Sequence, residues 1–416
     1  MKILVIGGGA REHAIISKLK ESEIVSKIFC APGNVGIAAL AELVNIGADE
    51  IEALADWAHD NDITLTVVGP EVPLSLGISD EFIRRGMKIF GPRKSGAQLE
   101  SSKTFSKNFM NKYRIPTARY QSFSDYQTAS AQITDFGFPV VIKADGLAAG
   151  KGVIIAENIA QALIALKDIL TDKVFGQAGS LVVVEEFLTG REVSLLAFCD
   201  GKSVRLMDSA RDYKRAFDND CGLNTGGMGA LSPVADFTGE LRKFVETEIA
   251  ARTLGGLIAE NIDYRGVIYF GLMLTNDGPK VLEYNCRFGD PETEVLLPRL
   301  DGDLAAIMLA TIEGRLEDVE INWKPVTAVC VVLASGGYPE KFEKGFTIRG
   351  LAEVANSVQV FHAGTKEIAG VVTNNGGRAL VVTAVGNDVA AARESVYREI
   401  KKISWPGMFY RSDIGY

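Results

Sequence analysis

The sequence predicts a multidomain protein of mixed α/β and α+β class, and three observations support this prediction. Its 416 residues exceed what one hydrophobic core usually holds, so two to four domains are expected. Up to about residue 100, short apolar runs alternate with helical patterns, which is typical of a parallel α/β domain. After Trp323-Lys324-Pro325, short strands separated by Gly, Pro and Asn turns lead into one helix, as in a small α+β domain. We therefore expect an N-terminal domain at 1–101, a central domain at 102–325 and a C-terminal domain at 326–416.

Composition limits the classes of partner. The formal net charge of -9 argues against a nucleic acid or an anionic membrane as the main partner. The five cysteines are widely spaced and odd in number, which fits neither a disulfide framework nor a zinc cluster and favours a reducing cytoplasm. No apolar run approaches the length of a membrane span, and the N-terminus does not resemble a signal peptide. We expect a cytoplasmic protein, monomeric or weakly homo-oligomeric, that acts on small molecules.

The chain begins with a buried strand, a glycine turn and a helix. Gly8 and Gly9 would let the backbone approach a ligand, and the helix N-terminus offers N–H groups to an anion. A dinucleotide fingerprint fits poorly, because its third glycine falls on Glu12 and no acidic residue follows the second strand. With the loop that carries Glu71, these residues form a candidate substrate site. The alternative is that the glycines only make turns.

Lysines and glycines mark a candidate phosphate site. A helical segment from Ser95 to Lys112 carries Lys103. A later strand bears Lys143 and leads into a glycine loop and a second strand, an arrangement that can fold over nucleotide phosphates. The loop residues assigned to the phosphates are Gly146, Gly150, Lys151 and Gly152. No helix follows the glycines, so this is not a Walker loop, and a flexible hairpin is the alternative.

Two further segments carry polar groups suited to ligands. The run from Glu185 through Glu186 to Leu188 predicts a strand edge whose backbone would contact an adenine, and Glu192 would take ribose hydroxyls. From 209 to 233 the chain is polar and glycine-rich, and such segments are commonly binding loops or flexible connectors. The candidates that this segment supplies are Asp212, Asn224, Thr225, Gly226 and Gly227.

Glu283 and Asn285 are the candidate metal ligands. They follow the predicted hairpin turn Asn276-Asp277-Gly278, and period-two alternation puts both on one face of the strand. A carboxylate beside an amide oxygen suits a hard divalent cation such as Mg²⁺. Arg287 and Asp290 follow shortly after. The guanidinium group of Arg287 can donate two parallel hydrogen bonds to a carboxylate or a phosphate. The alternative is an edge strand with a solvated charged face.

In chain order these motifs resemble the phosphoribosylamine–glycine ligase family of the ATP-grasp superfamily. The resemblance covers essentially the full length and runs through VIGGGAREHA, APGN, VGPE, LESSK, VIKADGLAAGKGV, VEEFLTGREVS, LNTGGMGA, NCRFGDPET, ASGGYP, FHAGT and GGRALVVTA. It implies a central ATP-grasp domain with a mobile lid at about 117–190. It also implies ATP-dependent joining of glycine to 5-phosphoribosylamine through glycyl phosphate, with Mg²⁺ or Mn²⁺, in purine synthesis.

Position in the family motifs implies a role for each candidate residue. Glu283 and Asn285 resemble the metal ligands. The residues that resemble ATP contacts are Lys103, Lys143, Gly146, Gly150, Lys151, Gly152, Glu185, Glu186, Leu188 and Glu192. The residues assigned to glycine and phosphoribosylamine are Gly8, Gly9, Glu12, Glu71, Asn224, Thr225, Gly226, Gly227, Arg287 and Asp290. The residues assigned to catalysis are Arg287, Lys143 and Asp212.

Four positions depart from the family pattern. Ala10 replaces a frequent glycine, and its methyl group would crowd a close approach of the backbone to a ligand. Tyr213 replaces a frequent histidine, and Glu294 replaces a frequent glutamine. Gly271 lies where many ATP-grasp enzymes carry a further acidic metal ligand, so the ligands of a second metal are not evident.

Three alternatives remain open from sequence alone. Another ATP-grasp ligase or carboxylase of a purine precursor would share the nucleotide residues and differ in the N-terminal and 209–233 loops. A dinucleotide-binding oxidoreductase leaves Lys143 and the Glu283/Asn285 pair unexplained. A non-catalytic nucleotide-binding regulator would not be expected to keep those same residues.

Overall fold

The N-terminal part of the chain folds around a parallel sheet. In this computed structural model, which describes residues 1–147 and 152–416, the strands are β1 (Lys2–Gly7), β2 (Lys27–Pro32), β3 (Glu42–Leu43), β4 (Leu65–Val68) and β5 (Ile89–Phe90). Their order is β3-β2-β1-β4-β5, and every pairing is parallel. The helices are α1 (Ala10–Leu19), α2 (Ile51–Asp60), α3 (Glu71–Leu76), α4 (Ile78–Arg84) and α5 (Lys94–Ser101). Ile3, Leu4, Val5 and Ile6 are fully buried in β1, as a strand covered on both faces requires.

The helical segment predicted from Ser95 to Lys112 is two helices. The chain leaves α5 at Ser102 and restarts as α6 (Lys103–Lys112). The Ser102 hydroxyl accepts a hydrogen bond from the Phe105 N–H at 3.1 Å, which is the arrangement of an N-cap. Because the helix restarts here, Lys103 occupies the first turn of α6.

The next segment is a small unit with its own core, which we call the lid. It contains β6 (Tyr120–Phe123), α7 (Tyr126–Gln132), β7 (Val140–Ala144), β8 (Val153–Ala156), α8 (Ile159–Leu170) and β9 (Val182–Glu186). The strands form an antiparallel sheet in the order β6-β9-β7-β8. Phe123, Ile142, Leu166 and Val184 pack together inside it. The predicted mobility of the lid remains a prediction.

A larger sheet carries the centre of the molecule. The strands of this sheet from the central part of the chain are β10 (Arg191–Cys199), β11 (Val204–Asp212), β14 (Gly229–Ser232), β15 (Gly266–Thr275) and β16 (Gly278–Asn285). Two short separate pairs are β12 (Arg215–Phe217) with β13 (Cys221–Asn224) and β17 (Leu300–Asp301) with β18 (Asn322–Trp323). The helices are α9 (Gly239–Phe244), α10 (Ala251–Ala259), α11 (Thr293–Leu296) and α12 (Leu304–Glu313). The helix predicted over 239–260 contains a π-helical turn, Val245–Ala250, between α9 and α10. The β15–β16 hairpin forms as predicted.

Three C-terminal strands extend this central sheet, namely β19 (Thr327–Ala334), β20 (Val358–His362) and β23 (Arg378–Gly386), and α13 (Val389–Ile400) follows them. Two others, β21 (Thr365–Ile368) and β22 (Val371–Asn374), pair with each other as a separate hairpin. The sheet order is β16-β15-β10-β11-β14-β19-β23-β20. Since β14 pairs with both β11 and β19, hydrogen bonding is continuous across the predicted boundary at 325. The C-terminal part is therefore held firmly against the centre. No helix among the described residues has the length and apolar character needed to cross a bilayer.

Candidate active site

One cavity of about 600 Å³ collects groups from every part of the chain. Glu71 from the N-terminal part, Lys143 from the lid, Glu283 from β16 and Tyr338 from the C-terminal part all line it. Four segments distant in sequence therefore build one site. Of the predicted loop residues, Gly146 and Gly152 also line it, whereas Gly150 and Lys151 lie outside the described residues.

Glu283 and Asn285 both face this cavity, as the alternation along β16 predicted. Burial alone would raise the pKa of the Glu283 carboxyl, but Lys214, Lys143 and other nearby cations outweigh burial and hold that pKa below its ordinary value. The carboxylate is therefore ionised at neutral pH and, with the Asn285 amide oxygen, offers oxygen ligands to a divalent cation.

Gly271 lies opposite Glu283 in the β15–β16 ladder. A Cβ atom on Gly271 would come 3.2 Å from the Cγ atom of Glu283. Gly271 therefore lies beside this candidate metal ligand and has no side chain that could itself bind a metal. Within residues 1–147 and 152–416 there is no group of three or more His, Cys, Asp or Glu side chains arranged to hold a metal. Glu283 and Asn285 therefore remain the candidate metal ligands predicted from the sequence.

Glu185 holds two lysines beside the cavity. Its carboxylate oxygens lie 2.8 Å from the Nζ atoms of Lys107 and Lys143, and all three side chains are buried. Lys143 also donates to the Leu282 carbonyl at 3.2 Å, which joins the lid to β16. Burial, partly opposed by Glu185, lowers the pKa of Lys107 to about 8. Sequence reasoning missed Lys107; its spacing of four residues from Lys103 on one helix was the available signal.

The predicted adenine segment, Glu185 to Leu188, is only partly free to offer its backbone to a base. β9 lies between β6 and β7, and Glu185 is opposite both Tyr120 and Val141, so this backbone is inside the sheet. Glu186 is engaged as well, because its N–H donates to the Arg119 carbonyl at 3.0 Å. Strand pairing ends after Glu186. The backbone available to a base therefore begins beyond it, nearer to Leu188.

Leu188 and Glu192, the other predicted nucleotide contacts, do not line the cavity. Leu188 packs with Ala118 and Met273 in a small apolar cluster. Glu192 forms an ion pair with Lys214 at 2.6 Å, and Lys214 itself lines the cavity. A ligand that uses Glu192 would have to share it with this lysine.

Lys103 faces the start of the glycine loop. Its Nζ atom donates to the Gly146 carbonyl at 3.1 Å. Asp145, just before the loop, accepts from the Thr104 N–H at 3.0 Å and from the Ser102 hydroxyl at 3.2 Å. The loop therefore begins against the N-terminus of α6, and the helix break that sequence reasoning missed is what creates this contact.

The 209–233 segment brings Asp212 and the Asn224–Gly227 loop together; we call the latter the NTGG loop. Asn224, Thr225 and Gly226 line the cavity with Asp212. A Cβ atom on Gly227, whose φ is +105°, would lie 2.6 Å from Asp212 Oδ1, so only glycine permits this approach. Asp212 Oδ1 has no hydrogen-bond partner in the described part of the chain. Burial and the nearby Glu292 raise the pKa of Asp212 well above its ordinary value.

Arg287 lies between two carboxylates. Its Nε atom is 3.3 Å from Glu71 Oε2, and its Nη2 atom is 3.0 Å from Glu100 Oε1. Glu100 was not predicted, because nothing in its helical pattern distinguishes it from a surface glutamate. Asp290, also predicted, forms an ion pair with Arg378 at 3.0 Å. The site therefore contains a network of paired charges rather than isolated ones.

The N-terminal glycine turn is tightly packed, which revises the predicted role of Glu12. The Glu12 carboxylate accepts from the Gly9 N–H at 2.6 Å and pairs with Arg11 at 2.6 Å. A Cβ atom on Gly8 would lie 2.6 Å from the Gly33 carbonyl oxygen, so this glycine is required by loop packing. Glu12 thus organises the turn rather than standing free for a substrate.

Ala10 does not crowd a ligand as predicted. It is fully buried at the start of α1 and belongs to the hydrophobic core beneath the turn. Its methyl group therefore packs inward. Arg11, next to it, lines the cavity and donates to the Phe288 carbonyl at 3.3 Å.

Comparison with known proteins agrees with this geometry. The phosphoribosylamine–glycine ligase of Caldanaerobacter subterraneus is 50% identical over 414 residues, covering 100% of this chain and 99% of that protein. The enzyme of the same name from Vibrio vulnificus is 48% identical over 420 residues, covering 100% and 98%. Among solved structures, the phosphoribosylamine–glycine ligase of Thermotoga maritima matches with a TM-score of 0.86 at 32% identity, over 99% of this chain and 100% of that one.

Fold and site together define an ATP-grasp enzyme, an ATP-dependent ligase. A biotin carboxylase from Campylobacter jejuni shares the fold, with a TM-score of 0.75 at 13% identity over 98% of this chain and 92% of that one. Profiles of phosphoribosylglycinamide synthetase match as the N domain at 1–100, the ATP-grasp (A) domain at 101–293 and the C domain at 328–416. The chain belongs to the phosphoribosylglycinamide synthetase family. The predicted family and fold class are confirmed, whereas the boundaries at 101 and 325 and the roles of single residues remain predictions.

Proposed function

We propose that the chain joins the carboxylate of glycine to the amine of 5-phosphoribosylamine, converting ATP to ADP and phosphate and forming glycinamide ribonucleotide. The observation that carries this proposal is the content of the cavity. It holds the ionised Glu283 with Asn285, lysines from α6 and the lid, and Asp212, whose Oδ1 atom has no hydrogen-bond partner among the residues that the structure describes. Family membership supports the choice of substrates.

Glu283 and Asn285 would hold Mg²⁺ or Mn²⁺. The ionised state of Glu283 and the position of both side chains on the cavity wall fit such an ion. When bound, the cation would reduce the negative charge that develops on the ATP phosphates. Because Gly271 supplies no further carboxylate, phosphate oxygens and water would complete the coordination.

Lys103 and Lys143 would bind the ATP phosphates together with Gly146, Gly152 and the rest of the glycine loop. Both lysines lie at the cavity wall, and Lys143 is held there by Glu185. The adenine would contact backbone groups near Leu188, and the ribose would contact Glu192. The lid would close over the nucleotide and exclude water from the acyl phosphate.

Asp212 would bind the ammonium group of glycine, and Arg287 would face its carboxylate. Asp212 Oδ1 has no described partner, and an arriving cation would favour its ionised form. A carboxylate oxygen of glycine then attacks the γ-phosphorus of ATP, and ADP leaves. The amine of phosphoribosylamine attacks the carbonyl carbon of glycyl phosphate, and phosphate leaves with the oxygen that came from glycine. The backbone of the NTGG loop would hold the acyl phosphate.

Phosphoribosylamine would enter from the N-terminal side. Gly9 lies beside Asp290, since a Cβ atom on Gly9 would be 3.8 Å from Asp290 Oδ2. Glu71 reaches the cavity from the following loop. Gly8 and Glu12 would hold this turn in shape, Gly8 by packing against Gly33 and Glu12 by accepting from the Gly9 N–H.

We propose that the protein works in the cytoplasm, as predicted from the sequence. All five cysteines are free, and four of them are buried, which suits the reducing cytoplasm. We expect a monomer or a weak homo-oligomer, which sedimentation across a concentration series would determine.

The test is release of phosphate from Mg-ATP with glycine and freshly made phosphoribosylamine omitted in turn. Release that needs both, with glycinamide ribonucleotide detected by mass spectrometry, is the expected result. Release that is indifferent to glycine, or none with every component present, would contradict the proposal and favour another ATP-grasp substrate.

A further inference from the structure

The C-terminal part of the chain forms one wall of the cavity, which the sequence did not predict. Tyr338, Pro339, Phe342 and Arg378 line it, facing the NTGG loop and Asp290. The first three come from the turn after β19, and Arg378 begins β23. These residues have no place in the chemistry described above, so their contacts need a separate explanation.

Arg378 contacts the backbone of the NTGG loop. Its Nη1 atom donates to the carbonyl oxygens of Gly226 and Gly227 and, at 3.2 Å, to that of Asp290. The same nitrogen lies 3.0 Å from the Asp290 carboxylate, and only 20% of the arginine side chain is exposed. A guanidinium ion in such a position forms charge-assisted hydrogen bonds that are stronger than bonds between neutral groups. Arg378 thus ties the loop to the Asp290 turn.

Tyr338 contacts the other backbone polar group of Gly226. Its hydroxyl accepts a hydrogen bond from the Gly226 N–H at 2.9 Å. The ring is packed against Gly377, where a Cβ atom would lie 2.2 Å from Tyr338 Cδ2. Gly226 is therefore held at its N–H by Tyr338 and at its carbonyl by Arg378.

Gly227, the residue after Gly226, lies against Asp212 in the site. Gly227 is the glycine whose backbone approaches Asp212 Oδ1, and its φ of +105° is available only to glycine at low cost. Because glycine has no side chain, a loop rich in glycine depends on contacts made to its backbone. Thr225 fixes part of the loop, since its N–H and its hydroxyl donate to the Lys214 carbonyl at 2.8 Å and its hydroxyl accepts from the Gly227 N–H at 3.0 Å. The contacts on Gly226 come from Tyr338 and Arg378.

We infer that Arg378 and Tyr338 are positioning residues, which fix Gly226 and Gly227 against Asp212 and so shape the subsite for the amino group of glycine. The inference rests on the proposed function and adds a specific requirement to it. Tyr338 and Arg378 act on glycine through the loop, and in the described part of the chain no hydrogen bond or ion pair joins either of them to Lys103 or Lys143. Glycine affinity and ATP affinity are therefore separable.

The test compares steady-state kinetics of Arg378→Met, Arg378→Lys and Tyr338→Phe with Arg398→Met, a control that removes an exposed arginine of α13. We expect the KM for glycine to rise about tenfold in Arg378→Met and severalfold in Tyr338→Phe, while the KM for ATP changes less than about twofold. Arg378→Lys would recover part of the loss, since lysine keeps the charge near Asp290 but not the fork. Arg398→Met would match the wild-type chain.

The outcomes separate this inference from the proposed function. Wild-type release of phosphate that requires glycine, with an unchanged KM for glycine in both Arg378→Met and Tyr338→Phe, would overturn the inference alone. Equal rises in both KM values would also overturn it, because the effect would not be specific to glycine. A lower kcat with both KM values unchanged would overturn it too, because a loss of folded enzyme explains that pattern. A wild-type chain without glycine-dependent release would overturn the proposed function and the inference together.

Discussion

The Nζ atom of Lys143 lies 2.8 Å from Oε1 of Glu185, and both side chains are more than nine-tenths buried. The second oxygen of Glu185 pairs with Lys107 at the same distance. One carboxylate thus pairs with two buried ammonium groups and leaves one net positive charge at the cavity. A phosphate chain arriving there would meet lysines that are already held in place.

Glu185→Gln is therefore expected to weaken both folding and ATP binding. Removing one member of a buried ion pair leaves an uncompensated charge and typically costs roughly 3 kcal/mol. Denaturant unfolding would measure this loss, and steady-state kinetics would show a higher KM for ATP. The control is Glu157→Gln, because that side chain is exposed on the same lid and its substitution should change stability by less than about 1 kcal/mol. Equal effects of the two substitutions would contradict this account of Glu185.

Glu283→Ala should largely abolish turnover while the protein stays folded. The substitution removes the carboxylate of the metal pair, and loss of one such electrostatic contact lowers kcat by at least about 100-fold. Turnover with Mg²⁺ or Mn²⁺, together with circular dichroism, tests this expectation. Asp277→Ala, in the exposed turn of the same hairpin, should behave like the wild-type chain. Wild-type turnover in Glu283→Ala with an unchanged spectrum would remove Glu283 from the mechanism.

Glu294 gives a prediction about pH and stability. It is fully buried, and neither carboxylate oxygen has a hydrogen-bond partner among the residues that the structure describes. Burial and the nearby Asp290 raise its pKa well above the ordinary value near 4.5. As pH rises above 4.5, the unfolded chain ionises this group while the folded chain keeps its proton, so its contribution to stability falls with increasing pH.

Glu294→Gln removes this dependence because an amide of similar shape does not titrate. The gain in unfolding free energy over the wild-type chain should be larger at pH 8 than at pH 4. Denaturant unfolding at both pH values measures it, with the exposed Glu394→Gln as the control. A gain that does not change with pH would show that Glu294 is ionised in the folded protein.

His13 and His362 predict the opposite trend at acidic pH. The His13 Nδ1 atom accepts from the His362 N–H at 2.9 Å and so links α1 to β20. Burial and the neighbouring His362 lower the pKa of His13 to about 3, and burial lowers that of His362 to about 4. Below the ordinary value near 6.5, the unfolded chain binds protons that the folded chain does not, so stability falls as pH decreases from 6.5 towards 4.

His13→Asn keeps an acceptor and removes one titrating group. Its stability relative to the wild-type chain should improve by about 1.4 kcal/mol for each pH unit below 6.5. Thermal unfolding at pH 7, 6 and 5 would show this trend. His59→Asn replaces an exposed histidine on α2 and should change stability equally at every pH. Parallel curves for His13→Asn and the wild-type chain would contradict the prediction.

The sequence was most informative where a role depends on local spacing. Alternation along one strand put Glu283 and Asn285 on the same face, and both line the cavity. The fold class also follows from such local patterns, since buried runs and turn residues mark each strand. The break at Ser102 was missed because helical periodicity continues through it, and only the cap shows that the helix restarts.

Contacts between distant segments could not be predicted. Glu185 lies in a run that matches a strand edge, and only the pairing of β9 with both β6 and β7 shows that its backbone is engaged. Arg378 begins an ordinary apolar strand, and its contact with Gly226 spans 152 residues. Glu12 looked like a ligand contact because nothing in sequence shows that its carboxylate caps the Gly9 N–H. Each of these roles depends on which groups folding brings together.

The most direct test of the central claim follows an oxygen atom through the reaction. Glycine labelled with ¹⁸O in its carboxylate would be supplied with Mg-ATP and phosphoribosylamine, and the phosphate released would be analysed by mass spectrometry. If glycine attacks the γ-phosphorus and glycyl phosphate forms in this cavity, each phosphate carries one labelled oxygen. Phosphate without label, released alongside glycinamide ribonucleotide, would contradict that mechanism.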